Sequence, residues 1–241
     1  MQSLRGRTVV VAGATGDIGP FVVRALLERG ATVAAPSRSE EKLGELREYL
    51  GGNGLDRLHT FTGSVSDERD AAGLRGRITE RLGSPHAVVA SVGDFVTTPS
   101  LLGASADDLQ RALDGYLLTH FALARTFLPA LKDSGGTYLM LQGPLAFELH
   151  PEFDAHLVSI ATAGQHTLFR ALAQELDDTP AHIAELVMYT LIRDRQTLPG
   201  APVSGEEIGA FAADLLARAD AGVHGQSIHL RSPDQVAAAT A

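Results

Sequence analysis

Along the 241-residue chain, short apolar runs alternate with longer amphipathic segments. The first run, Thr-Val-Val-Val-Ala at 8–12, is β-branched and stops at a glycine turn, which predicts a strand. Segment 17–29 has apolar residues at helical spacing and ends at Gly30, which predicts a helix stopped by glycine. The alternation continues to the end. It predicts strands at 32–35, 59–63, 87–91, 137–141, 183–188 and 226–230, and helical segments at 40–50, 68–82, 105–131, 157–176 and 204–219. Repeated βα units imply a parallel sheet with helices on both faces, because each crossover must return the chain across one face. Seven such strands fit one doubly wound α/β domain over 1–241, with no repeat and no linker. The stretch 190–205, with Pro199, Gly200 and Pro202, is read as a mobile loop, and the Ala-rich tail 232–241 as a frayed end.

Composition narrows the function classes. The chain is 44% hydrophobic, enough for one sizeable core, and carries a net charge of −9. An acidic chain without clustered Lys and Arg is unsuited to nucleic acid or to anionic membranes. No cysteine is present, which excludes disulfides, thiolate catalysis and Cys-based metal sites, and fits a reducing compartment. No stretch approaches the ~18 apolar residues of a membrane helix, and the short N-terminal run reads as a strand, not a signal peptide. A cytoplasmic location is the expectation.

The glycine turn brings in chemistry. Gly13, Gly16 and Gly19 follow the first strand directly and open the first helix. Glycines there allow a tight turn and close backbone approach to a pyrophosphate, which a helix N-terminus attracts. The competing reading is a glycine-rich turn with no ligand, and Asp17 adds a carboxylate that would repel a phosphate unless it points away. After the second strand, where an acid usually meets the ribose of NAD, the chain has Ser37 and Arg38. A guanidinium suits a 2′-phosphate, so NADP(H) is expected over NAD(H), against a plain solvated arginine. The turn's expected cofactor contacts are Gly13, Thr15, Gly16, Asp17, Ile18 and Gly19.

These motifs, in their order, resemble the short-chain dehydrogenase/reductase superfamily over nearly the whole chain. The landmarks are GATGDIG at 13–19, SRSEEKL at 37–43, VVASVG at 88–93, ARTFLPAL at 124–131, GGTYLML at 135–141, TAGQHTLFRALAQEL at 162–176, SGEEIGAF at 204–211 and GQSIHL at 225–230. The resemblance implies a single Rossmann-type domain, further cofactor contacts from Ser64, Val65, Ala90, Ser91 and Val92, and a substrate loop at 190–205. It implies a homodimer or homotetramer built on the long helix, the catalytic helix and the last strand. It also places Asp94, Phe95, Gln142, Met188 and Tyr189 at the substrate pocket.

The departures are equally informative. The glycine spacing is that of the extended and atypical branches, while the later landmarks are those of the shorter branch. Ser64 replaces an acid that commonly meets adenine, and Ala-Ser-Val-Gly at 90–93 replaces Asn-Asn-Ala-Gly. The family's catalytic Asn, Ser, Tyr and Lys fall on Tyr116, Gly143 (or Gln142 after a one-residue slip), Val158 and Thr162. The only lysines, Lys42 and Lys132, lie far from that helix in sequence. Acid–base catalysis contributes roughly 100- to 10,000-fold, and neither valine nor glycine supplies a proton. Standard chemistry is therefore expected to be absent.

Substitutes are available. Tyr116 and His120 stand four residues apart on a helix, and the loop after the fifth strand carries Glu148 and His150, which could form an acid–base pair. Packed aromatics and a solvated acidic loop are the plain alternatives. The spacing matches no metal motif. Three readings follow: an NADP(H)-binding oxidoreductase with a non-standard site, an inactive pseudoenzyme serving as a binding or regulatory subunit, or a non-redox isomerase, cyclase or dehydratase using the His/Glu loop. The fold cannot choose among them.

Overall fold

The computed structural model describes residues 3–52, 54–218 and 222–240. The chain runs β1 (Thr8–Ala12), α1 (Gly19–Glu28), β2 (Thr32–Ser37), α2 (Glu40–Leu50), β3 (Leu58–Thr62), α3 (Glu68–Leu82) and β4 (Ala87–Ala90). It continues through α4 (Ala106–Leu113), α5 (Thr119–Ser134), β5 (Thr137–Gln142), α6 (His156–Leu176) and β6 (His182–Met188). A small ribbon, β7 (Ile192–Arg193) and β8 (Gln196–Thr197), precedes α7 (Gly205–Ala217), β9 (Ser227–Leu230) and α8 (Pro233–Thr240). Seven strands form one sheet in the order β3-β2-β1-β4-β5-β6-β9. Every pair in it is parallel.

The two-residue period of β1 divides the core. Val9 and Val11 enter a layer with α1 and α7, while Val10 and Ala12 enter the opposite layer with α3, α5 and α6. All five β1 residues are buried. A strand covered on both faces must be apolar throughout, which is why it reads as a continuous run. Helix starts are set by side chains that accept first-turn amides. Ser39 accepts from Lys42, Asp67 from Asp70, and Ser105 and Ser204 make reciprocal boxes with Asp108 and Glu207.

One expectation needs correction. The segment 105–131 is not one helix: five residues, Asp114–Leu118, form a wider π-type turn between α4 and α5. The Thr119 hydroxyl donates to the Asp114 carbonyl at 2.7 Å there, satisfying a group the wide turn frees. In the tail, α8 packs on α7 and Val236 is buried in the core. The stretch 190–205 contains the β7–β8 ribbon, and Thr190 Oγ1 donates to the Val203 carbonyl at 2.9 Å, closing its ends. The predicted helix end at 219 and the last tail residue, 241, lie outside the described residues.

Candidate active site

Sheet order reverses between β1 and β4, so a crevice opens beyond their carboxyl ends. The glycine turn lies there. Gly13 has φ +83, and a Cβ on it would stand 1.9 Å from the Ser91 carbonyl oxygen. A Cβ on Gly19 would stand 2.1 Å from the Gly13 oxygen. Both glycines are thus required by packing, with or without a ligand. Gly16 and Asp17 are exposed, and Ile18 gives no side-chain cap to the first turn of α1. A helix end left open in this way suits an anion. Thr15 Oγ1 and Ser37 Oγ meet at 3.0 Å, tying the turn to the end of β2, and Arg38 stands exposed just beyond. The Ser91 amide donates to the Ala12 carbonyl at 2.9 Å, joining the end of β4 to that of β1. Ala90 is buried, Val65 and Val92 are half-buried against the core, and Ser64 Oγ lies 2.7 Å from Ser66 Oγ.

A second feature lies farther along the same edge: a cavity of about 470 Å³. Tyr116, Gly143, Val158 and Thr162, the positions expected from the resemblance to match the family's catalytic set, all line it. They come from the wide turn, the end of β5 and α6, between 116 and 162 in sequence. Segment 91–93 connects this cavity to the glycine turn. Ser91 packs on Gly13, and the Tyr116 ring packs on Gly93 so closely that a Cβ at 93 would stand 2.5 Å from Cε1.

The four positions differ in what they offer the cavity. Val158 is buried, and the Thr162 hydroxyl is spent on its own helix, donating to the Val158 carbonyl at 2.8 Å. A Cβ on Gly143 would meet nothing within 4 Å. Tyr116 presents the only phenol on the cavity whose surroundings include no hydrogen bond. Burial, and secondarily the Asp94 carboxylate, push that phenol far up, so it stays protonated.

Phe95 and Tyr189 form walls of the cavity, whereas Asp94, Gln142 and Met188 do not. Gln142 lies in β5 and donates through Nε2 to buried Glu185, so Gly143 and not Gln142 reaches the cavity. Met188 is in the main core and Asp94 is exposed. His150 lines the cavity, but its carboxylate partner is Glu152, 3.0 Å from Nδ1; Glu148 is 3.7 Å from Nε2. Glu148 instead accepts from Arg231 at 3.1 Å and from the Tyr189 hydroxyl at 3.2 Å, and the Arg231 bond leads in holding its carboxyl below the usual range. Glu148 and His150 thus stand within 3.7 Å of each other, while the hydrogen bond of His150 goes to Glu152. His120 is fully buried beneath the β4 loop, with Nε2 3.2 Å from the Val92 carbonyl.

Sequence reasoning missed the polar cluster behind this wall. Glu185, wholly buried in β6, meets His166 at 2.9 Å and accepts from Ser227 at 2.6 Å. It missed as well Leu198 and Phe153 on the cavity. No local signal marks these residues, because they meet only when β9, α6 and the long loops come together.

The fold and the crevice at the switch point define a Rossmann-type protein. A profile of the family described as short chain dehydrogenase matches residues 7–185. The chain belongs to the short-chain dehydrogenase/reductase family, a family of oxidoreductases that bind NAD(P)(H). It is 25% identical over 176 residues to dehydrogenase/reductase SDR family member 4 of Caenorhabditis elegans, covering 73% of this chain and 67% of that one. It is 26% identical over 125 residues to the NADPH-dependent pterin aldehyde reductase of Arabidopsis thaliana, covering 52% of this chain and 51% of that one. The chain spans about half the length, or less, of several curated relatives it matches. A short chain dehydrogenase structure from Mycobacterium smegmatis superposes with a TM-score of 0.84 at 23% identity, covering 96% of this chain and 94% of that one, a likeness of fold.

Proposed function

We propose that the protein is an NADP(H)-binding oxidoreductase with a non-standard active site, in which Tyr116 replaces the usual proton donor. One observation carries this reading: Tyr116, Gly143, Val158 and Thr162 line a single cavity joined to the glycine turn through segment 91–93. The Arabidopsis relative is NADPH-dependent by name, which agrees with the cofactor assigned here.

The chemistry a bound NADPH would supply is a hydride for the substrate. The open first turn of α1, at Gly16–Ile18, would hold its pyrophosphate, and Arg38 would pair with its 2′-phosphate. Tyr116 Oη donates a hydrogen bond to the substrate oxygen that gains charge. A phenol held protonated by burial is a poor base but a sound donor to an alkoxide, which is far more basic. His150, steadied at Nδ1 by Glu152, carries a buried Nε2 without a hydrogen-bond partner and is the second polar side chain at the cavity.

A second reading is favoured by Val158 and by the Thr162 hydroxyl bonded to its own helix: a subunit that binds dinucleotide without turnover. Melting of the purified protein with NADPH, NADP⁺ and NADH tests the first step common to both. NADPH and NADP⁺ should raise the melting temperature more than NADH, since a ligand of the folded state must stabilise it. No rise with any of them removes both readings. Assembly into a homodimer or homotetramer through α5 and α6 is supported by the exposed Leu118, Phe121 and Ile160.

A further inference from the structure

We infer that the cavity takes an uncharged, largely apolar ligand carrying one hydrogen-bond acceptor, such as a diaryl or alkyl ketone, and excludes carboxylates and phosphates. This rests on the reading of that cavity as the substrate site. At about 470 Å³ it lies within the usual size of small-molecule sites.

Two observations argue for the class. The first is charge. Among the described residues, no Asp, Glu, Lys or Arg lines the cavity, so an ionic ligand would lose its hydration without gaining a counter-charge. The second is the state of the polar groups that do line it. Thr162 is bonded to Val158, and Thr190 to Val203. The Tyr189 hydroxyl meets His229 Nδ1 at 2.9 Å and Glu148 at 3.2 Å, residues that are not on the lining. His150 spends its Nδ1–H on the Glu152 carboxylate, so its unpartnered Nε2 stands at the cavity as an acceptor, not a donor. That leaves the Tyr116 hydroxyl as the side-chain donor free to meet a ligand, and a protonated phenol calls for an acceptor. Phe95, Leu191 and Leu198 extend the apolar wall outward, with 47%, 46% and 37% of their surface exposed, so part of a ligand remains covered as it reaches the mouth.

Calorimetric titration of the whole protein, with and without NADP⁺, compares benzophenone with 4-benzoylbenzoate, the same skeleton bearing a carboxylate, and with diphenylmethane, which lacks the carbonyl. Benzophenone should bind saturably and about tenfold tighter than 4-benzoylbenzoate, and roughly fivefold tighter than diphenylmethane, the worth of one hydrogen bond. Tyr116→Phe should abolish the second difference and leave the first. Leu198→Asp, at a partly exposed position, should weaken benzophenone about tenfold while the NADPH-induced rise in melting temperature persists. Equal or tighter binding of the carboxylate, no saturable benzophenone binding in either state, or indifference to Leu198→Asp would each overturn the inference. Loss of the NADPH effect in the native chain would sink the cofactor reading instead, so the two failures are distinguishable.

Discussion

Arg38 is exposed at the end of β2, beside Ser37, whose hydroxyl is tied to Thr15. A 2′-phosphate reader gains most from a free guanidinium. Arg38→Ala should therefore raise the dissociation constant for NADPH about tenfold and leave that for NADH nearly unchanged; equal losses, measured by fluorescence titration, would reject the assignment. His120 tests burial. Desolvation lowers its pKa from 6.5 to about 4, only partly offset by its contact with the Val92 carbonyl. The native ring refuses a proton that the unfolded chain accepts below pH 6.5. Its contribution is thus whole above that value and drains away as pH falls toward about 4, by up to about 3 kcal/mol. Urea unfolding across that window should show His120→Gln with a flatter pH dependence than the native protein. Parallel curves would show that His120 does not titrate between these limits. Tyr116 was legible as a departure from the family pattern. That its hydroxyl is free while those of Thr162 and Thr190 are engaged was not, because each depends on a carbonyl supplied by folded backbone.

Among the elements, α1 and α7 pack against one another around a buried ion pair, Arg29 with Asp214, each with 2% of its side chain exposed. Removing one partner leaves a buried charge unpaired. Arg29→Met should cost about 3–5 kcal/mol, and adding Asp214→Leu should recover most of it. Additive losses in chemical denaturation would show that the two side chains do not act as a pair. The boundaries of α2 and α3 were readable to the residue because Ser39 and Asp67 are strong caps. The wide turn at Asp114–Leu118 was not readable, since its residues continue an ordinary helical pattern. That turn faces α6, where a Cβ on Gly164 would stand 3.0 Å from the Leu117 side chain. Tertiary fit, not propensity, accompanies the change of helical pitch there.

For the whole molecule, assembly is the open consequence of the exposed faces of α5 and α6. Light scattering should give the mass of a dimer or tetramer, and Phe121→Glu, at a position 41% exposed, should shift it toward the monomer without loss of fold. A native mass equal to one chain would reject assembly through these helices. Among the described residues, no helix is long and apolar enough to cross a membrane.

By itself the sequence determined the parallel α/β sheet and the glycine turn. These are written in periodicity and in local residue choice, which act over a few positions. Only the tertiary structure decided that Tyr116, Gly143, Val158 and Thr162 share one apolar cavity, that His150 pairs with Glu152, and that Glu148 belongs to Arg231. The physical reason is range. A cavity wall and an ion pair are properties of surfaces brought together across the sheet, and the energies that choose among partners are set by distance and desolvation in the folded chain.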